Sequence, residues 1–576
     1  MYREIKADIL IIGTGAAGLR AAISAYDSGA RDIIALGKCK WGDAHTILAT
    51  GGINAALGTM DPKDSWMLHA ADTIIDGGSI ADFRYVNLMC RDAPRAVMEL
   101  VKWGARFHKE PDGRVTQRFF GAATYRRACF YGDQTGKEMM RVLMAQVRKR
   151  RIRTMEDVFI VSMIASGKRV AGALAIDFFK GEIILFRAKA VVLAAGGYTK
   201  VYTRSSSRSY ENQGDGAALA LELGVGLVDM EMVQFHPTGM IYPKQAQGIL
   251  VTEAVRGEGG LLFNAKGERF MGRYYPEKME LGPRDVVARA IYMEIKKGNG
   301  TKHGGVWLDI TSMPKAKILE RLPKMYRQFK EYAHVDISKQ RMEVAPTAHY
   351  TMGGVDVSIK GETSIKGLYA VGETVGQVHG ANRLGGNSLL ETVVFGRIVG
   401  REAAALAKRQ DFVEIDRKRA LEEIAKVDRF FGKGGKPEDI RDEVRRAMWD
   451  HAGIARDRKT LAAGLRKIEK LERRFRAVRV RPGLKGNSDL KIAIETARMF
   501  GLCKAIMQSA LMRTESRGAH YRTDYPKRDD RKWMANIVAK RSADGIKLGV
   551  RKVPTVTGPV AYYIKHRPKV EVKLLE

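Results

Sequence analysis

The sequence predicts an α/β fold, and three observations carry that prediction. Residues 7–12, ADILII, form an apolar run that leads into G-T-G-A-A-G at 13–18, an alanine-rich stretch, LRAAISAYDSGA, and a second apolar run, RDIIAL. Strand, glycine-rich turn, helix and strand follow within about 30 residues, as a dinucleotide-binding unit requires. Residues 157–197 are β-rich and end in AVVLAAGG, an apolar strand running into Gly196 and Gly197. Residues 367–408 pass from GLYAVGE through a polar glycine-rich loop, HGANRLGGNS, into a long helix, the closing unit of such a domain.

Each element has a local reason. Gly13 permits the tight turn after the first strand, Gly15 lets a pyrophosphate approach the backbone, and Gly18 lets the helix pack close to the sheet. The helix N-terminus then faces the anion. One usual part is missing: at the end of the second strand, where an acidic ribose ligand is expected, stand Gly37 and Lys38, which argues against a plain NAD site. QGDGAALALELG at 213–224 predicts a loop and then a helix. Residues 236–347 mix turn signals with short elements and read as an insertion, 410–540 are helical and highly charged, and the tail beyond 540 reads as short strands. The predicted organisation is a Rossmann-like domain split between 1–235 and 348–408, an inserted α+β capping domain at 236–347, a helical domain at 409–540 and a small C-terminal tail at 541–576.

Composition bounds the function. At 576 residues the chain holds three or four domains of roughly 150 residues each. Hydrophobic residues at 45% and charged residues at 28% exclude wholesale disorder. No apolar run approaches the roughly 20 residues that span a bilayer, and no signal peptide is expected. The cysteines, Cys39, Cys90, Cys129 and Cys503, are scattered without a CxxC pair and read as reduced thiols. No metal site is expected, so if electrons move onward, a partner must carry the clusters. Lys+Arg exceed Asp+Glu by 99 − 65 = 34. Basic clusters such as RKRRIR at 148–153 and ERRFRAVRVR at 472–481 lack the interleaved aromatics of a base-stacking platform, so nucleic acid is not expected as a partner. The charge fits a solvated basic surface, with docking to an acidic partner and steering of anionic substrate as alternatives.

Polar clusters fall where turns are expected. DAHTILATGGINAALG at 43–58 carries His45 and Thr46 before Gly51-Gly52, and QFHPTG at 234–239 carries His236. TEAVRGEGG at 252–260 packs Thr252, Glu253, Arg256 and Glu258 together, and GPRDVVARA offers Arg284 and Asp285. APTAHYTMGG places His349 beside a Gly-Gly turn, and HGANRLGGNS places Arg383 in a loop. Singly, each has a bland reading as a cap, a surface histidine or a helix-start ion pair. Together they describe a site rich in His and Arg with little free carboxylate, suited to a dianion whose carboxylates the guanidinium fork binds in pairs.

With these motifs in order, from GTGAAG to ESRGAHYRTDYPKRDD at 515–530, the chain resembles the flavoprotein subunit of the succinate dehydrogenase/fumarate reductase family over about nine-tenths of its length. The resemblance implies FAD rather than NAD, and a small residue at 37 is then usual. It implies FAD contacts at Gly13, Gly15, Gly18, Lys38, Thr46, Gly51, Gly52, Asp215, Glu373, Ser388 and Leu389, with His45 carrying the flavin covalently through its 8α-methyl group. It implies that His236, Thr252, His349 and Arg383 hold the dicarboxylate. Arg284 would exchange a proton with it, and Glu253 and Arg256 would relay that proton. Succinate and fumarate would interconvert by hydride transfer at flavin N5, the 236–347 segment acting as a lid. An iron–sulfur subunit, with membrane-anchor subunits or a soluble thiol donor, would take the electrons, in the tricarboxylic acid cycle or in anaerobic respiration. The protein would be cytoplasmic or peripheral on the cytoplasmic face of a membrane.

Three departures stand out. Thr50 occupies the position where dehydrogenases usually have Gln and fumarate reductases Glu, which leaves the physiological direction open. Ala254-Val255 replace a common Gly-Cys, and Ala122 replaces a common Gly. They place the chain outside the best-known bacterial and mitochondrial branches. L-aspartate oxidase shares the HPT, RGEGG and NRL motifs but normally lacks a histidine at the position of His45. A non-enzymatic basic scaffold would explain the charge and none of the site residues.

Overall fold

The computed structural model describes residues 2–568. The first apolar run becomes a strand, Arg3–Ile12. It starts before the run does, because it pairs in parallel with Glu182–Leu193 from Arg3↔Ile184 through to Ile12↔Leu193. Ile33–Leu36 and Arg153–Met155 extend the sheet on one side, and Leu368–Ala370 joins Glu182–Leu193 in parallel. Val158–Ser166 and Arg169–Asp177 add an antiparallel wing, completing seven strands.

Helix Ala16–Asp27 packs against the closing helix Asn387–Ala407, and glycine makes the contact close. A Cβ at Gly400 would fall 2.1 Å from the Ala21 carbonyl oxygen, and one at Gly396 would fall 2.8 Å from Arg20 Cβ. The first and last parts of the nucleotide-binding fold are thereby locked together although they lie far apart in the chain.

The insertion leaves and returns on a paired ribbon. Val233–Met240 runs antiparallel to Met342–Thr351, and Val306–Asp309 and Leu261–Phe263 complete a four-stranded sheet. Positions 236 and 347 sit opposite each other inside that ribbon. Apolar residues from Met240 to Val344, among them Phe270, Ile291, Leu308 and Phe329, form a core of their own.

Three helices, Pro437–Ala452, Arg458–Phe475 and Ser488–Met512, make up most of the helical region. Its end differs from the sequence reading. A hairpin, Ala535–Ser542 with Gly545–Lys552, straddles position 541 and pairs onto Leu227–Val228 of the nucleotide domain. A helix, Pro559–Lys565, follows where strands were expected. Proline at its start needs no N–H partner, and Val560 is buried. Residues 569–576 of the expected tail lie outside the described residues.

Cys90, Cys129 and Cys503 are buried and Cys39 half-buried, all free thiols. The two basic clusters carry surface ion pairs, Arg150–Asp27, Arg153–Asp32 and Arg474–Glu443. Among the described residues no helix is long and apolar enough to cross a membrane.

Candidate active site

A cavity of about 240 Å³ opens at the carboxyl ends of the parallel strands, where open α/β sheets place their ligands. Gly13, Gly15, Lys38, His45 and Thr46 line one end, with Gly51, Gly52 and Asp215 beside them. Glu373, Ser388 and Leu389 also line it. His236, Thr252, Glu253, Arg284, His349 and Arg383 line the other end. Gly18 and Arg256 do not reach it.

At the first end, glycine is required for distinct reasons. Gly13 sits at φ +119°, and a Cβ there would lie 2.1 Å from the Ala194 carbonyl oxygen. A Cβ on Gly18 would lie 1.9 Å from the Gly13 carbonyl oxygen, so Gly18 serves helix packing rather than ligand contact. At Gly15 the nearest protein atoms to a Cβ are Thr46 Oγ1 at 3.6 Å and Ala44 Cβ at 3.7 Å, and the backbone lies bare to the cavity. Helix Ala16–Asp27 begins here, with its first N–H groups free of helical partners. The Ala16 N–H bonds Thr46 Oγ1 at 3.3 Å, the Gly-rich helix N-terminus fits a pyrophosphate, and the largely apolar cavity fits a dinucleotide. Lys38 and Asp215 meet each other: Nζ lies 2.6 Å from Asp215 Oδ2 and 3.2 Å from Glu495 Oε1. Burial opposes both charges, but the pairing wins, holding the lysine above and the aspartate below their ordinary values. Gly51-Gly52 threads past the Phe120 ring, whose Cζ would lie 2.5 Å from a Cβ at Gly51.

His45 opens a short 3-10 turn, His45–Leu48. Its Nδ1 lies 3.1 Å from Glu211 Oε2, and no described protein group bonds Nε2. Arg208 and Tyr210 brace this pair, Arg208 bonding both Glu211 and Asp43, and Tyr210 donating to Asp43 at 2.8 Å. Burial would lower the histidine pKa, but the hydrogen bond and charge of Glu211 outweigh it and raise it. Against its own burial, Glu211 is held down to about 2 by His45 and Arg208. Glu373 receives the Thr351 N–H at 3.0 Å, and burial raises it to about 7.

The other end is built on a bulge. Gln234 pairs with Tyr350 but Phe235 with Ala348, so His349 is the extra residue of its strand, and the bulge aims it into the site. Its Nδ1 meets Ser206 Oγ at 2.8 Å, and its ring stands edge-on to His236 with centroids 5.1 Å apart. His236 uses Nδ1 on the Thr238 backbone. Each imidazole therefore keeps Nε2 for a ligand. Burial first, then neighbouring cations, hold both histidines well below their ordinary value, so both are neutral. Thr252 Oγ1 accepts the Ala254 N–H at 3.3 Å.

Arg284 heads the helix Arg284–Glu294, and its Nε donates to Glu253 Oε2 at 2.8 Å. Glu253 Oε1 accepts the Gly121 N–H at 3.1 Å, tying the 120–122 loop to the insertion. Burial would raise this carboxyl, but Arg284 and Arg256 prevail and bring it down to about 2. Arg256 is buried and bonds the Glu280 carbonyl, while its Nε and NH2 have no partner among the described residues. Its backbone N–H bonds the Glu253 carbonyl at 3.0 Å, but its guanidinium acts on the Glu253 carboxylate only as a charge, so only the first side-chain link of the expected relay is a direct contact. Arg383 NH1 donates to Ser388 Oγ at 3.0 Å, and the guanidinium lies 4.2 Å from the Tyr350 ring centroid. Burial and the nearby Arg284 lower it to about 10.

Sequence reasoning missed Glu211, Ser206, Gln234 and Tyr350 as site residues. Gln234 and Tyr350 lie inside the QFHPTG and APTAHYTMGG motifs, and the period-2 spacing of Gln234 and His236 was the available signal. Glu211 and Ser206 carried none.

The chain is similar to known proteins over nearly all of its length. The FAD binding domain family model matches residues 8–389, and the model for the fumarate reductase flavoprotein C-term matches residues 441–569. A fumarate reductase (CoM/CoB) chain of Methanothermobacter marburgensis is 43% identical, covering 94% of this chain and 98% of that one. The succinate dehydrogenase flavoprotein subunit of Rickettsia bellii is 37% identical, covering 93% of each. A solved Escherichia coli quinol fumarate reductase superposes with a TM-score of 0.91 at 35% identity, covering 97% of this chain and 98% of that one.

Proposed function

The chain belongs to the succinate dehydrogenase/fumarate reductase flavoprotein family, and from that membership we propose that it interconverts succinate and fumarate as the FAD-bearing subunit of a larger complex. The observation that carries this reading is the convergence, in one cavity with the dinucleotide cradle, of two neutral histidines, a threonine and two arginines. FAD, when bound, supplies the hydride acceptor and donor.

The chain's residues do the rest. Arg383 takes one substrate carboxylate, with His236, Thr252 and His349 supplying donors for the remaining oxygens. Neutral imidazoles keep the site's positive charge on the arginines, where the dianion needs it. Arg284 takes the proton from one central carbon of succinate, or returns it to fumarate, while the other central carbon gives or receives the hydride. A guanidinium ordinarily keeps its proton, so this role needs positive neighbours and a dry site. Arg256 and Arg383 place positive charge near Arg284, and Glu253 fixes its orientation through Nε. Arg256 serves the relay by charge. Closure of the insertion excludes water.

His45 offers Nε2 for covalent flavin attachment, with Glu211 holding Nδ1. Electrons would pass to an iron–sulfur partner subunit, and anchor subunits would place the complex at a membrane face. Thr50, buried beside Gly51, borders the same cavity.

The test is acid precipitation of the purified complex with flavin fluorescence on a denaturing gel, followed by succinate–dye reduction. Fluorescence that stays with the chain and vanishes in His45→Ser, with dye reduction dependent on succinate, is the expected result. Flavin that washes free, with turnover of L-aspartate instead, would overturn the reading.

A further inference from the structure

Between the two arginines of the site lies a side chain to which the proposed chemistry gives no part. Gln234, on the strand Val233–Met240, is fully buried. Its Oε1 accepts from Arg284 NH1 at 3.1 Å and from Arg383 NH2 at 3.1 Å. Its Nε2 donates to Asn382 Oδ1 at 2.8 Å and to the Arg383 carbonyl at 3.0 Å. Every hydrogen-bonding position of the carboxamide is used, so its orientation is determined. Asn382 extends the frame, donating from Nδ2 to Asp76 at 3.1 Å and Asp285 at 3.2 Å.

The two arginines come from different parts of the chain. Arg284 begins a helix of the insertion, and Arg383 sits in the glycine-rich loop before the closing helix. Gln234 stands where the insertion leaves the nucleotide-binding fold, and its one oxygen holds both guanidinium groups. We propose that Gln234 is a positioning residue that sets the separation of the proton-handling Arg284 and the carboxylate-binding Arg383, and that its neutrality leaves their charge to the substrate. This inference rests on the function proposed above.

An amide suits that task and a carboxylate does not. A carboxylate at 234 would pair with both cations, compete with the substrate for their N–H groups and oppose proton loss from Arg284. It would also turn an oxygen toward the Arg383 carbonyl and Asn382 Oδ1. With the amide, burial and the neighbouring Arg284 lower Arg383 with no added carboxylate to oppose them.

Two variants of the assembled holoenzyme separate charge from position, with flavin content and melting temperature as controls on folding. In Gln234→Glu, malonate, a dicarboxylate that cannot be oxidised at the reacting carbons, should bind about tenfold more weakly. The rising limb of the pH profile for succinate oxidation should move up by about one pH unit. In Gln234→Met, which keeps the volume and removes every hydrogen bond, kcat should fall about tenfold or more with that limb unmoved, since only alignment is lost. Wild-type malonate affinity and pH profile in Gln234→Glu would overturn the proposal. If that variant does not retain flavin, Gln234→Met decides, and a kcat within about threefold of wild type would overturn it. A wild-type holoenzyme that neither binds malonate nor turns over succinate or fumarate would instead overturn the underlying function.

Discussion

Replacing Glu253 with glutamine removes one negative charge from between the half-buried Arg284 and the buried Arg256 and keeps the shape of the side chain. The structure gives the size of the effect. The carboxyl is held at about 2 against an ordinary 4.5, although burial alone would raise it. At about 1.4 kcal/mol per pH unit, that difference is worth about 3 kcal/mol of favourable interaction, chiefly with Arg284 and Arg256. Its folded pKa is the lower one, so the stability is fully present above about 4.5 and is lost as pH falls toward about 2. Between pH 7 and pH 4 the wild-type protein gives up roughly a quarter of it, while the glutamine variant has none to lose. Unfolding of both FAD-loaded proteins at the two pH values is the assay. The variant should be less stable by about 3 kcal/mol at pH 7, with the gap narrowing by roughly 1 kcal/mol at pH 4. A gap that is absent at pH 7, or the same at both values, would refute the assignment of Glu253 as the counter-charge. Turnover should fall in parallel, because Arg284 loses the group that aims it.

Other consequences are separable. Ser206→Ala removes the partner of His349 Nδ1 and should raise KM for succinate about threefold to tenfold with little change in kcat, read from steady-state kinetics. Gly13→Ala places a Cβ 2.1 Å from a carbonyl oxygen at positive φ, so the purified protein should carry no flavin absorbance. Arg513→Met strands Asp229, Glu231 and Glu515 in the interior and should cost about 3–5 kcal/mol, seen as a lowered urea midpoint or lost soluble yield. If the net charge of +34 steers dicarboxylates, kcat/KM for succinate should fall as ionic strength rises, and a flat profile would refute steering.

The α/β class and the glycine cradle were legible in the sequence because their causes are local. An apolar run, a turn needing Gly13 and a helix needing Gly18 lie within one stretch of chain, and period and glycine spacing report them directly. The polar motifs named the histidines and arginines of the site for a related reason: each motif is a contiguous run, although His236 and His349 lie in strands and Arg284 heads a helix, not in the turns expected. Tertiary structure alone decided the partners. Glu211 reaches His45 across 166 positions, and Gln234 reaches Arg383 across 149. Arg256 follows Glu253 by three residues yet turns to the Glu280 carbonyl instead. The bulge that frees His349 exists only because Met342–Thr351 pairs with a strand about a hundred residues earlier. The hairpin near the C-terminus formed because Leu227–Val228 offered an edge to pair with. Local patterning determines which segments are strands and helices. Which charge neutralises which, and how far below or above its ordinary value each group titrates, depends on through-space distances and burial that no local pattern encodes.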